Sequence, residues 1–545
     1  MAELKKSLKE KDPILEVDHL GVTYRLDTSE VRVLKDIHFT LPRGKIMTML
    51  GESGSGKSTL GKALLGILSR NAVIDSGEIR YISRDGVPVD LLHCDGRSIR
   101  GSKIAMVYQD AHLALNPIKK IRKHFYDVLE KTNKSKAEIE KKALELLRTL
   151  EFENPARILD LYPFELSGGM CQRVCIALVL SLEPEMIIAD EPTSALDVLC
   201  QKEVLNLLKR IQKDMGLSLL LITHDVGVAF EISDQIIVLE KGVIVEQGGP
   251  DAIIKNPQHP YTQRLIAAYK VAPLDRSEEQ DNPKEVILSL QNVTKIFEKK
   301  NDKKIALNNF SIDIGNNETV GILGESGCGK STLAKCLVGL IHPNSGNILF
   351  RKDNLLKWEK KFHKDMCRAI QFVFQDARAS LNPRRTAIQL VEEPLKYQNI
   401  CPPSEREGRA RKYLHMVGID ECTQERKPPR LSTGQCQRVA IARALVCEPE
   451  ILICDESVSA LDMIIQDQIL QLLEHLQKEC NFTMLMISHD IRVIKRSCQR
   501  VAVMNKGQLC EYIPVQCLDD EDRSPFTKRL LGCFVNIFEG SEQNS

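Results

Sequence analysis

Little in this 545-residue sequence points to a charged or stacking partner. An excess of charge of one sign is missing: 75 Lys and Arg face 74 Asp and Glu, a formal net charge of +1, so no global field draws the chain to nucleic acid. Aromatics are scarce, at 5% with a single Trp, which leaves few platforms on which bases could stack. Long apolar runs are lacking too. Nowhere do 18 apolar residues run without charges, and the most apolar stretches, Leu217 to Thr223 and Met484 to Ile487, have the length of buried strands, so no membrane span is expected. The N-terminal MAELKKSLKEKDP is charged throughout and lacks the apolar core of an export leader, so none is expected. The 17 Cys show no CxxC or Cys/His spacing of zinc type, which predicts reduced thiols serving mostly as small core residues. What is present in ordinary amount is 43% hydrophobic and 27% charged residues, the makeup of globular domains, and two large units fit the length.

An internal repeat sets the architecture. GESGSGKST at Gly51 to Thr59 recurs as GESGCGKST at Gly324 to Thr332, 273 residues on. LSGGMCQR from Leu166 recurs as LSTGQCQR from Leu431, and IIADEPTSALD ending at Asp197 recurs as LICDESVSALD ending at Asp462, both at an offset of 265. ITHD and ISHD, around His224 and His489, keep that offset. The order implies two homologous halves, 1–270 and 286–545, joined by a Pro- and acid-rich linker at 271–285. Each half opens on alternating apolar residues (ILEVDHLGVTYR; VILSLQNVTKIF) that predict antiparallel strands, and a helical insert is expected between the first and second motifs.

The chemistry of these strings is specific. In GxxxxGK[ST] the glycines let backbone N–H groups converge on phosphates, the Lys reaches the β/γ phosphates, and the Ser ligates Mg²⁺. The cradles are therefore Gly51, Glu52, Ser53, Gly54, Ser55, Gly56, Lys57, Ser58 and Thr59, and Gly324, Glu325, Ser326, Gly327, Cys328, Gly329, Lys330, Ser331 and Thr332. Apolar runs before them (KIMTML; ETVGIL) and apolar helical patterns after them supply the strand, loop and helix context that the motif needs. Two copies in register remove chance as an explanation. Two further apolar strands end in adjacent acids: one carboxylate of each pair (Asp190, Asp455) is expected on the metal, the other (Glu191, Glu456) on the attacking water. His224 and His489 end apolar runs within reach of a γ-phosphate; a structural role is the alternative, and recurrence at matched spacing favours function. Gln109 (VYQD) and Gln375 (VFQD) can ligate Mg²⁺ and sense the phosphate, or stand as plain exposed amides.

Together these strings resemble the ATP-binding subunits of ABC transporters over nearly the whole chain. The resemblance implies an α/β fold of two tandem P-loop NTPase domains of ABC type, each with an antiparallel β subdomain and a helical subdomain, with ATP and Mg²⁺ as cofactors. It implies an intramolecular head-to-tail pairing in which each nucleotide lies between the phosphate loop of one half and the signature of the other: Ser167, Gly168 and Gly169, or Ser432 and Gly434. Asp197 and Asp462 join as the D-loop residues, and Tyr24 and Phe297 take the position that stacks on adenine. Catalytic roles fall to Glu191, His224, Glu456 and His489; metal roles to Ser58, Gln109, Asp190, Ser331, Gln375 and Asp455.

Within that family the sequence resembles ATPases of oligopeptide, dipeptide and nickel importers, through Leu115 to Pro117 and Leu381 to Pro383 (LNP) and the tail NPQHPYTQRL from Asn256, which degenerates to SPFTKRLL from Ser524. Peptides come first as cargo, with nickel or metal chelates next. The implied partners are two membrane-spanning permease subunits and, through them, an extracytoplasmic substrate-binding protein, with no nucleic acid; the implied location is peripheral, on the cytoplasmic face of the cell membrane. A soluble twin ATPase acting on ribosomes or DNA, or an exporter's ATPase, are the alternatives. Three departures stand out: Thr433 replaces a signature glycine, which predicts a slower site at the first loop; Arg430 stands where the first half has Glu165; and no Cys follows the tail in 263–285, so no iron–sulfur cluster is expected. Cys328, at a helix N-terminus near Lys330, is expected to favour thiolate and to react with maleimide.

Overall fold

The computed structural model describes residues 12–533 apart from 26–28, 131, 133, 195, 271–284, 300–301, 358–361 and 459–460. The chain divides into two units, one running to Tyr269 and the other beginning at Lys270. The expected linker lies outside the described residues except at Glu285.

In the first unit the alternating residues of Pro13–Arg25 bury Leu15, Val17, Leu20 and Val22. This strand pairs antiparallel with Glu30–Pro42 on one side and Ala72–Ile82 on the other, and Pro88–Asp90 closes a four-stranded sheet. A six-stranded sheet follows, ordered Val243–Gly248, Gln235–Glu240, Ile46–Leu50, Ser218–Thr223, Met186–Asp190, Ile104–Val107, parallel except at the first pair. Its central strands are buried at every position, as a parallel sheet covered on both faces requires. Because side chains alternate, Met47, Met49, Leu220 and Ile222 join the antiparallel sheet in one core, while Ile46, Leu219 and Leu221 join the helical insert in another.

The insert comprises Ile121–Leu129, Lys136–Thr149, Pro155–Asp160 and Gly168–Leu180. Lys136–Thr149 is fixed by a capping box between Ser135 and Glu138 and buries Ile139, Ala143 and Leu147, four residues apart, leaving Lys136, Glu138, Lys141 and Glu145 to water while half-buried Glu140 and Lys142 pair with Arg122 and Glu183.

The second unit repeats this plan. Asp302–Gly315, Val286–Lys299, Ser345–Phe350 and Asp353–Asn354 form its antiparallel sheet, and Ile370–Val373, Ile451–Asp455, Thr483–Ser488, Thr319–Gly324, Arg500–Asn505 and Gln508–Pro514 its main sheet. The strand Ala72–Ile82 has 11 residues and its counterpart Ser345–Phe350 has 6, which absorbs part of the length difference between the halves. Among the described residues no helix is long and apolar enough to cross a membrane. All 17 Cys are free thiols, but only eight are buried, so fewer act as core residues than the sequence suggested.

Candidate functional site

A parallel sheet gathers what its strands carry at their C-terminal ends, where open α/β folds bind ligands. Gly51, Asp190 and His224 each end or follow one of three adjacent strands, although the sequence scatters them. The loop after Ile46–Leu50 is tightly made. A Cβ on Gly51 would lie 2.3 Å from the Leu239 carbonyl oxygen, and Gly56, at φ 106°, caps the helix Lys57–Leu64 in the left-handed region that favours glycine. The Gly242 N–H donates to the Ser55 carbonyl at 2.9 Å, pinning the loop from below. The first N–H groups of that helix have no intrahelical acceptor and face the cradle, an arrangement suited to an anion.

Lys57, only 4% exposed, donates through Nζ to the Gly51 and Glu52 carbonyls, 2.7 Å each. Ser58 Oγ donates to Asp190 Oδ1 at 3.1 Å. Glu191 is held from two sides: Gln109 Nε2 donates to its Oε2 at 2.9 Å, and His224 Nδ1 lies 3.1 Å from its Oε1. Its backbone sits at φ 45°, an uncommon conformation for a residue with a side chain, and its N–H donates to the Ile222 carbonyl at 2.8 Å. The second unit repeats each contact. Lys330 reaches the Gly324 and Glu325 carbonyls at 2.8 and 2.9 Å, and Ser331 reaches Asp455 at 3.2 Å. Gln375 and His489 hold Glu456 at 2.7 and 3.2 Å, with Glu456 at φ 44°.

The two carboxylates of each pair are tuned apart. Burial pushes Asp190 and Asp455 above the usual carboxylate range, against the lowering effect of the Ser58 and Ser331 hydroxyls. Burial acts the same way on Glu191 and Glu456, but there the hydrogen bond and charge of His224 or His489, with the Lys57 or Lys330 ammonium, outweigh it and bring the acid below its usual value. One carboxylate thus wants a positive partner, and the other is held in its ionised form.

The chemistry of the donor set fits Mg²⁺: a hydroxyl, a carboxylate and an amide carbonyl are hard oxygen ligands. Among the described residues no group of three His, Cys, Asp or Glu could hold a metal by itself, so the nucleotide's phosphates would have to complete the shell.

The remaining expected residues stand in other settings. Ser53 and Gly54, like Ser326 and Gly327, form the exposed lip of each loop; Thr59 and Thr332 are half-buried on its helix. Tyr24 packs half-buried against the core of the first unit, whereas Phe297 is 40% exposed with Lys295 Nζ 5.2 Å from its ring centre. Ser167 caps the helix of Gly168 and Gly169 by accepting the Met170 N–H. Ser432 does the same for Thr433–Leu445, where Gln435 reciprocates by accepting the Ser432 N–H at 3.0 Å. A Cβ on Gly434 would lie 2.8 Å from Ile465. Asp197 caps Val198–Met215 by accepting the Cys200 N–H, a bond that Asp462 does not make at the matching helix. Glu165 accepts the Tyr162 N–H at 2.8 Å, an interaction that Arg430 cannot reproduce, having no acceptor in its side chain.

The structure reverses one expectation. Cys328 is 7% exposed, and burial pushes its thiol up, outweighing the Lys330 charge, so it is no thiolate nucleophile. Sequence reasoning also missed a participant: the Glu52 N–H donates to the Tyr261 hydroxyl at 3.0 Å. The His-Pro-Tyr string marked the tail but carried no sign of what it touches.

Comparison with known proteins agrees with this geometry. A family model described as ABC transporter matches residues 34–194 and again 307–459. The glutathione import ATP-binding protein GsiA of Pectobacterium atrosepticum is 35% identical over 95% of this chain and 89% of its own length. The protein of the same name from Escherichia coli O157:H7 is 34% identical over 97% of this chain and 90% of its own. Among solved structures, the complex of archaeal ribosomal stalk protein aP1 with archaeal ribosome recycling factor aABCE1 aligns over 90% of each chain, with a TM-score of 0.60 and 21% identity, a likeness of fold alone.

Proposed function

Since the chain belongs to the ABC transporter family and is an ATPase of the importer kind, we propose that it drives uptake of a small peptide of the glutathione class from two ATP sites built on the residues above. The observation that carries the reading is that both halves hold the full bonded set of Lys, Ser, Asp, Glu, Gln and His, in a chain similar over 95% of its length to a glutathione import ATP-binding protein. Residues 1–270 and 286–545 act as two domains joined at 271–285.

The triphosphate is received by the helix start after Gly56 or Gly329, and Lys57 or Lys330 exchanges its two carbonyl partners for phosphate oxygens. Ser58, Asp190 and Gln109, and their counterparts Ser331, Asp455 and Gln375, would hold Mg²⁺, which when bound neutralises charge on the β- and γ-phosphates. Glu191 or Glu456, kept ionised, orients the attacking water through a carboxylate oxygen and receives its proton. His224 or His489 fixes that carboxylate and reaches toward the γ-phosphate. Tyr24 and Phe297 stack on adenine. Ser167, Gly168, Gly169 and Asp197 complete the site of the second loop, and Ser432, Gly434 and Asp462 that of the first, so that hydrolysis opens a head-to-tail pair.

The motion acts on two membrane-spanning permease subunits at the cytoplasmic face, and an extracytoplasmic binding protein chooses the cargo. The test is to purify the tagged chain from its native membrane. Recovery of two multi-spanning proteins, with ATPase activity stimulated by a glutathione-loaded binding protein, is expected; recovery with ribosomes and no permease overturns the transport reading.

A further inference from the structure

The tail helix Pro260–Tyr269 is docked with care. Glu246, on the sheet's edge strand, accepts the Gln258 and His259 N–H groups at 2.9 and 3.1 Å, while Tyr261, Thr262, Leu265 and Ile266 are buried to within 2%. From that seat the tail meets the site at two places. Tyr261 takes the Glu52 N–H, and Tyr269 lies over Gly227, where a Cβ would come within 2.4 Å of its hydroxyl; Gly227 follows His224 by three residues.

Glu52 is therefore gripped from both sides, its N–H by Tyr261 and its carbonyl by Lys57. A bound phosphate draws Lys57 away from that carbonyl, which keeps the Ser55 N–H at 3.2 Å from within the loop, while the Tyr261 hydroxyl ties the Glu52 N–H to the tail from outside it. The second half keeps the carboxylate seat, since Glu511 accepts the Ser524 N–H at 3.0 Å, but Phe526 stands in Tyr261's place and has no oxygen. There the tail reaches the loop by an ion pair from Arg529 to the Glu325 side chain at 2.9 Å, with the Arg side chain 66% exposed, an arrangement that solvent screens. Arg492 replaces Gly227 and is turned onto Asp490.

We infer that Tyr261 is a positioning residue of the first ATP site: its hydroxyl holds the phosphate loop in its receiving shape, so that the tail sets the nucleotide affinity of the first loop and not of the second. The inference rests on ATP binding at both loops, as proposed above. The test uses the full chain with one loop silenced at a time, titrated with a fluorescent ATP analogue and Mg²⁺. In a Lys330→Ala background, Tyr261→Phe is expected to weaken binding roughly three- to tenfold, the worth of one such hydrogen bond; in a Lys57→Ala background it is expected to change nothing. Tyr261→Phe should melt close to wild type, whereas Tyr261→Ala, which also empties a packed seat, should melt lower yet bind at the first loop no more weakly than Tyr261→Phe. Unchanged affinity in Tyr261→Phe, with only Tyr261→Ala impaired, would show that the ring's packing is its whole role and overturn the inference. Failure of the otherwise wild-type first loop to bind the analogue would overturn the ATP reading itself.

Discussion

The two halves agree where the nucleotide's phosphates would lie and differ around that place. The Ser to Asp, Gln to Glu and His to Glu distances match within 0.2 Å. The neighbours do not: Gly168 becomes Thr433, Met170 becomes Gln435, Glu165 becomes Arg430, Ser55 becomes Cys328 and Tyr261 becomes Phe526. The inner set is the same in both halves and matches what the proposed hydrolysis needs. If the two sites differ in rate or affinity, these neighbours are where the difference would arise.

The sharpest test of that inequality is to remove one water-orienting carboxylate at a time. Glu456→Gln is expected to lower ATP turnover about 100-fold or more, because the proposed head-to-tail pairing would give its site the glycine-rich signature of the first half. Glu191→Gln should take away much less if, as the sequence suggests, Thr433 slows the site that Glu191 serves. Equal losses measured in steady-state assays would break the comparison. Next in size, Thr433→Gly in the Glu456→Gln background should raise the residual rate several-fold, about 1 kcal/mol of barrier; no change would clear Thr433.

A smaller effect concerns the buried aspartates. Folding raises the pKa of Asp190 and Asp455, so in the window between the unfolded and folded values the native chain binds more protons, and stability falls as pH rises through it. Asp190→Asn or Asp455→Asn should therefore abolish Mg²⁺-dependent ATPase activity yet raise the melting temperature of the nucleotide-free protein at pH 7, by roughly 2–4 °C per kcal/mol relieved. The gain should vanish near pH 4. A lower melting temperature at pH 7 would show that the Ser58 bond outweighs burial. Smallest of all, Cys328→Ser should leave nucleotide affinity within about twofold, as Ser55 fills the same place in the twin loop, and maleimide should modify exposed Cys422, Cys480 and Cys510 long before Cys328. Prompt inactivation would restore the reactive-thiol expectation.

Much of this was legible because it is local. Nine contiguous residues make each cradle, and the Asp–Glu strand ends, like Thr223–His224 and Ser488–His489, announce themselves by an apolar run that stops at a polar pair. Contacts that cross the fold were not legible. Nothing in HPYT says that its phenol meets Glu52, about 210 residues away. The character of Cys328 was misread for the same reason: its helix start and its lysine are sequence neighbours, whereas the burial that outweighs them comes from tertiary packing, with Sγ 2.8 Å from where a Gly324 side chain would begin.

The sheet order carries a consequence for how the protein is made. Ile46–Leu50 pairs with Ser218–Thr223 and Gln235–Glu240, strands that leave the ribosome about 170 residues later. At ~5–20 residues per second the central strand waits roughly ten to thirty seconds for its neighbours. Thr319–Gly324 waits as long for Thr483–Ser488 and Arg500–Asn505. The waiting strands are apolar and alike in both halves, and so are the strands they await, so side-chain pattern discriminates little between right and wrong partners. Order of emergence does: the first sheet is complete before the second central strand exists. A chain refolded all at once from denaturant loses that ordering, and exchange of strands between its two halves is the misassembly to expect.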